Sequence, residues 1–530
     1  MLGSISSRLS VIEPYPIFLR KLQAIAQRPH APFYTPGHRR GRGASAALRD
    51  LLGMAALRAD VPELPELGNL FATEGAIADA QTLAAQTFGA ENTWFLVNGS
   101  TCGIIAAILA TCGTGDKIIV PRNLHQSVIS GLILAGADPV FVQPPYNAQR
   151  DIAYGVTPEA IAAALASHPE AKAVLVVYPT YQGVCSDLGA IAQLVHAHNL
   201  PLIVDEAHGA HFAFHPELPP SALSLGADIA VQSTHKTLGA LTQAAMLHHQ
   251  GDRVTPQRLS RALQWVQSTS PNYLLLASLE AATVQMAEQG NALMTQTLAL
   301  AHCAREVLTS LTPLTKGGRG DYNSLQLSVD SSQKFLPLTK GGWRDCGISI
   351  LQPPSSLQPG FAALDPTRLT VFTRGLGQNG FDLDVQLHEQ LGVTAELPLE
   401  YHLTFIISLG STDEDITQLI QAWQHLVNAA PENPAIAPLA LPPLPLPPLV
   451  CSPRQACFAP TKTRSLAEAI GEVCAAIVCP YPPGIPVLMP GERVTGEAIA
   501  YLQKIQQLGG EITGLDSNGA LQIMASSDSR

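Results

Sequence analysis

Long apolar runs are missing from this chain of 530 residues. A helix that crosses a bilayer takes about 20 apolar residues, and the best stretch, GIIAAILATCG from Gly103, falls well short. The opening residues, MLGSISSRLSVIEPYPIF, lack the apolar core of a signal peptide. Zinc-type CxxC pairs are also missing. The nine cysteines are scattered, which reads as reduced, partly buried thiols in a cytoplasmic protein. Positive charge is in deficit: 31 Lys and Arg face 42 Asp and Glu, for a net charge of −11. That balance argues against a nucleic-acid binder held by phosphate neutralisation and suits small cationic ligands. Charged residues make up only 14% and hydrophobic residues 46%, which excludes wholesale disorder. At roughly 100–200 residues per domain, the length suggests about three or four domains.

What is present divides the chain into five stretches. Residues 1–59 form an N-terminal segment with a helical pattern from Ile17 to Gln27 and a polar loop, TPGHRRGRG, from Thr35. In residues 60–310, the strand-like runs TWFLV, DKIIV, DPVFV, AKAVLVV, PLIVDE and ADIAVQS alternate with the helical segments SVISGLILAG, PEAIAAALAS and DLGAIAQLVHAHN. Such alternation predicts an α/β domain with a mostly parallel sheet covered on both faces. A long helix after Pro271 leads into residues 311–430, where NSLQLSV, RLTVFT and YHLTFIISL mix with helices as a smaller α+β domain. Residues 431–450 are a Pro-rich, semi-rigid linker, and 451–530 a small C-terminal α+β domain.

Three places on the α/β domain carry chemistry. Asn98-Gly99-Ser100-Thr101 follows a strand and opens a helix, whose N-terminus offers free N–H groups to a phosphate; ordinary capping by the hydroxyls is the plainer alternative. Asp205 ends the apolar strand of PLIVDEAHGAH, at the edge where open α/β sheets bind ligands. His208 and His211 lie nearby, but no third ligand with suitable spacing supports a metal site. Lys236 follows the strand ADIAVQS, flanked by Ser233, Thr234 and His235, and comes 31 residues after Asp205. A phosphate cradle, a carboxylate and a lysine of depressed pKa together meet the needs of pyridoxal phosphate, with His125 placed to stack on its ring.

With these residues in view, the sequence resembles the Orn/Lys/Arg decarboxylase family. The likeness runs through FYTPGH, AQTLAAQTFGAENTWFLVNGSTCG, GDKIIVPRNLHQSV, LIVDEAHGAHF, SALSLGADIAVQSTHKTL, STSPNYLLLASLE and YPPGIPVLMPGE. It implies an aspartate-aminotransferase-like large domain (pyridoxal-phosphate fold type I) and α-decarboxylation of arginine, lysine or ornithine to an amine of polyamine metabolism. By the same resemblance, Lys236 carries the cofactor, Asp205 faces its ring nitrogen and His125 stacks on the ring. Ser100, Thr101, Ser233 and His235 hold the phosphate, and His208 lies beside the cofactor. Ser268 to Ser270, Thr269 among them, reach the site of a neighbouring subunit, which implies at least a homodimer. Glu396 matches the carboxylate that reads the substrate's distal cation.

The sequence departs from the family in carrying Arg39 and Gln126 where lysines are common. With TPGH already at Thr35, it also reads as a short form without the receiver-like N-terminal domain of the large inducible members. Three rival readings remain: an aminotransferase or lyase anchoring substrate through Arg368 or Arg374; a nicotinamide enzyme using the GxGxxG of Gly375 to Gly380; and a degenerate, non-catalytic member.

Overall fold

The computed structural model describes residues 16–311, 347–356, 358–431, 446–481 and 484–525. Its central sheet has seven strands: β1 (Asn92–Leu96), β2 (Lys117–Pro121), β3 (Asp138–Val142), β4 (Ala173–Val177), β5 (Leu202–Asp205), β6 (Ile229–Gln232) and β7 (Ala245–His249). They lie in the order β1-β7-β6-β5-β4-β2-β3, and only β7 runs against its neighbours. Consecutive residues of these strands feed opposite cores. Ile118, Val120, Leu175 and Ile203 belong to one, Ile119, Val174, Val176, Leu202 and Val204 to the other. A strand with period-2 side chains and apolar residues at every position is buried on both faces, which is why these segments read as unbroken apolar runs.

Three helices fix the site's frame. Well after α1 (Ile17–Gln27) and two further helices, α2 (Gly99–Thr111) packs directly onto the sheet. A Cβ on Gly103 would come within 2.7 Å of both Leu96 and Val231, so only glycine allows this approach. Helix α3 (Gln126–Ala135) starts at the His125 cap and stops at Gly136, whose φ of +74° suits the left-handed C-cap. Helix α4 (Tyr273–Ser310) runs 38 residues, about 57 Å at 1.5 Å per residue, and carries the chain out of the large domain. At its start, buried Glu280 accepts the Phe18 and Leu19 N–H groups, capping α1 and tying down the N-terminal segment. Near its end, Arg305 donates to the carbonyls of Leu351, Pro366 and Arg368.

Among the described residues, the smaller domain is a four-stranded antiparallel sheet of β8 (Gly347–Ile350), β9 (Arg368–Gly375), β10 (Leu397–Pro398) and β11 (His402–Ile406), ordered β8-β9-β11-β10. Helices α5 (Gly380–Leu391) and α6 (Asp413–Ala429) pack on it around Trp423. The expected strand NSLQLSV and most of the Pro-rich linker lie outside the described residues. The C-terminal domain has its own core around Val478, Leu488, Leu502 and Ile523. It is not loosely tethered. Met489 enters the large domain's core, and Arg122, just past β2, donates to the Pro486 and Val487 carbonyls at 2.6 and 2.9 Å. The guanidinium also lies 3.6 Å from Glu492, and both side chains are fully buried.

Candidate active site

The carboxyl ends of β2, β4 and β5 and the turn after β6 open into one cavity, walled by Ser100, His125, Asp205, His208 and Lys236 among others. Ligands of α/β sheets bind at this edge because strand ends and helix N-termini converge there.

Lys236 sits in the short turn of helix Thr234–Thr237 that follows β6. Its Nζ lies 2.9 Å from His208 Nε2 and 5.4 Å from the centre of the Tyr181 ring. Tyr181 in turn packs on His208, with ring centres 4.2 Å apart. Burial lowers the pKa of the lysine; Asp205 opposes this and Arg368 adds to it. Burial, then the charges of Lys236 and Arg368, holds His208 well below the usual imidazole range. Burial thus disfavours the charged form of both groups in contact, the setting in which a lysine amine serves as a nucleophile. Behind His208, buried Arg368 donates to its carbonyl and lies 3.7 Å from Asp365, which also meets His211 at 3.1 Å.

Asp205 ends β5, is 6% exposed and accepts the Ala207 N–H at 3.2 Å. Burial raises its pKa, while His125 and Lys236 pull it down. A cation placed against this carboxyl would restore its charge. His125 caps α3: Nδ1 accepts the Ser127 N–H at 3.2 Å and lies 2.9 Å from Ser127 Oγ. An accepting Nδ1 leaves the proton on Nε2. Burial lowers the His125 pKa, against the pull of Asp205.

The N-terminus of α2 has no side-chain cap, so its first N–H groups are not taken up in the way that ordinary capping would require. Ser100 Oγ accepts from buried Ser233 Oγ at 2.8 Å, which brings two of the expected hydroxyls together. His235 instead turns Nδ1 to the Ala244 carbonyl at 2.9 Å. Thr101, Thr269 and Glu396 are exposed and outside the cavity wall. The Ser268 N–H bonds Asn98 Oδ1, which sets the Ser268–Ser270 loop beside the α2 N-terminus. The charge on Glu396 still acts on Lys236, as the smallest of the influences on that lysine.

The model of the Orn/Lys/Arg decarboxylase major domain matches residues 16–415, and that of the C-terminal domain matches 446–520. The chain belongs to the Orn/Lys/Arg decarboxylase family. Among its relatives, the arginine decarboxylase of Bacillus subtilis (strain 168) is 36% identical, over 93% of this chain and 94% of the relative. The lysine decarboxylase LdcA of Pseudomonas aeruginosa is 26% identical, over 95% of this chain and 77% of the relative. The crystal structure of the Francisella novicida lysine decarboxylase superposes with a TM-score of 0.76 at 23% identity, over 96% of this chain and 81% of that one. The expected fold, aspartate-aminotransferase-like fold type I with two smaller domains, is therefore borne out.

The family's fold also bears on the rival readings. Gly375 to Gly380 joins β9 to α5 within an antiparallel sheet, without the parallel crossover that a dinucleotide site requires. Arg368 is fully buried behind the site, and neither it nor Arg374 is part of the cavity wall. Sequence reasoning missed Tyr181, which packs on the lysine's partner. It also missed the far end of the cavity, formed by Tyr146, Asp151, Glu400, Tyr501 and Ile505. No local motif marks those positions, which come from three separate parts of the chain. The YPPGIPVLMPGE motif does mark a wall: Ile485 and Val487 line the cavity, with Pro480 just before the motif, and the Gly484 carbonyl accepts the Gln126 N–H at the start of α3.

Proposed function

We propose that the chain binds pyridoxal phosphate on Lys236 and catalyses α-decarboxylation of arginine to the corresponding amine and carbon dioxide. The observation that carries the reading is the Lys236 amine in the cavity, 2.9 Å from His208 Nε2, with Asp205 buried in the same wall. The residues present fit the cofactor: the uncapped α2 N-terminus with Ser100 and Ser233 suits a phosphate, and the Asp205 carboxyl suits a protonated pyridine nitrogen. When bound, the cofactor supplies an aldehyde for the amine and a ring that withdraws electrons from the substrate's α-carbon.

The chain's own residues do the rest. Asp205, ionised against a cation, holds the ring nitrogen's proton. His125, fixed by its capping bonds to Ser127, presents its ring to one side of the cavity. Lys236 and His208 pass a proton across their contact, which allows either to return one to the product. The C-terminal domain and Tyr181 narrow the cavity against water. Arginine is supported by the names of the relatives at 34–36% identity. We also assign the Ser268–Ser270 loop to a partner's site in a homodimer; exposed Phe33, Leu51 and Trp265 leave apolar surface for such a contact. The proposed setting is the cytoplasm, and the pathway polyamine biosynthesis. Incubating the protein and pyridoxal phosphate with arginine, lysine and ornithine separately, and identifying the amine and CO₂, tests the reading. Agmatine from arginine supports it; a keto acid, or no turnover of any of the three, overturns it.

A further inference from the structure

The cavity has a second polar end. Asp151, from a hairpin after β3, accepts the Tyr146 hydroxyl at 2.5 Å. Glu400, from the turn between β10 and β11 of the smaller domain, is 3% exposed. Tyr401 hydrogen-bonds the Glu400 carboxyl, yet its Oε2 has no hydrogen-bond partner among the described residues. Tyr501 and Ile505, from α7 (Gly496–Gln507) of the C-terminal domain, close the end. Burial raises both carboxyls, Asp151 to about 7, and the Glu400 charge adds to the rise at Asp151. Lys504 acts on Glu400 only through its field. Two carboxyls facing one cavity, one with a buried oxygen that has no hydrogen-bond partner among the described residues, suit a cation.

We infer that Asp151 and Glu400 bind the substrate's distal guanidinium, with Tyr146, which donates to Asp151, and Tyr501 beside them in the cavity wall. This deepens the decarboxylase reading and rests on it. A guanidinium presents five N–H donors in one plane and matches several oxygens at once; an ammonium is a compact point charge with three. The assignment moves distal recognition from exposed Glu396 to buried Glu400, four residues along the chain. It also gives the C-terminal domain a task, since α7 supplies part of the wall.

The test uses the cofactor-loaded enzyme and the variants Asp151→Asn, Glu400→Gln, Glu396→Gln and the milder Tyr501→Phe. Kinetics are measured on arginine and lysine, with butylguanidine and its neutral analogue butylurea as competing ligands. The cofactor's absorbance band and the melting temperature confirm that each variant is folded and loaded. The expected result is an arginine KM raised at least about tenfold in Asp151→Asn and Glu400→Gln, with kcat changed less. Butylguanidine should inhibit wild type far better than butylurea, and Glu400→Gln should erase that difference. Unchanged arginine KM and butylguanidine inhibition in both variants would overturn the inference, as would a large KM rise confined to Glu396→Gln. If wild type releases no CO₂ from any basic amino acid, yet butylguanidine raises its melting temperature in a Glu400-dependent way, the decarboxylase reading falls and the guanidinium site stands.

Discussion

The two ends of the cavity are built differently. The cofactor end comes from one domain, with each group placed at the end of a strand or the start of a helix. The acidic end is assembled from a hairpin of the large domain, a turn of the smaller domain and a helix of the C-terminal domain. Each end is backed by a buried ion pair: Asp365 with Arg368 and His211 behind His208, and Glu492 with Arg122 beneath the C-terminal domain. Strand ends and helix starts place the groups of the first end, with Arg368 of the smaller domain backing His208, whereas the groups of the second end themselves come from three docked domains. Chemistry should therefore be robust to changes in docking, and substrate affinity sensitive to them.

The sharpest break in that comparison is Lys236→Ala. If Lys236 holds the cofactor as proposed, its loss should lower kcat by roughly 10³-fold or more, with the cofactor band lost and the fold kept. Next are the two ion pairs. Removing one partner of a buried pair costs roughly 3–5 kcal/mol. Asp365→Asn should show this by chemical denaturation and weaken cofactor retention. Burial alone would raise the Asp365 carboxyl, but His211, Arg368 and Thr367 hold it at about 2, below its ordinary 3.8. That contribution is complete above about pH 3.8 and fades as pH falls toward 2, so the gap between wild type and variant should close over that window.

Burial pushes the Glu492 carboxyl up to about 7 against the pull of Arg122, so Glu492→Gln should cost less than Asp365→Asn but act at the other end, raising the arginine KM and protease sensitivity of the C-terminal domain while the cofactor band persists. A fall in cofactor binding as large as that in Asp365→Asn would erase the distinction between the ends. The smallest effect is expected for Gly484→Ala. Gly484 has a φ of +80°, and a Cβ there would lie 3.4 Å from the His125 ring. The strain is of the order of 1–2 kcal/mol, and a several-fold weaker cofactor affinity should accompany it, read by titration.

The same contrast explains what the sequence disclosed. Lys236, Asp205, His125 and Ser100 stand in short motifs whose strand and helix periods are written locally, and the structure brings them into one cavity. The alternation of strands and helices likewise foretold the sheet, because buried parallel strands are continuous apolar runs. Asp151, Glu400 and Tyr501 are unremarkable in sequence: a polar residue in a hairpin, a glutamate in a turn, a tyrosine on a helix face. Only tertiary docking makes them neighbours. Glu396 and Glu400 lie in the same stretch, LGVTAELPLE, and β10 between them turns one outward and the other into the cavity. Tyr181 has no motif of its own either; its role comes from contact with His208.

Covalent trapping tests the foundation most directly. The protein is loaded with pyridoxal phosphate, reduced with borohydride, digested and mapped by mass spectrometry. The expected product is a single phosphopyridoxyl group on the ε-nitrogen of Lys236, absent from an Asp205→Asn variant that no longer retains cofactor through dialysis. Labelling of a different lysine in the wild-type protein, with Lys236 recovered unmodified, would contradict it.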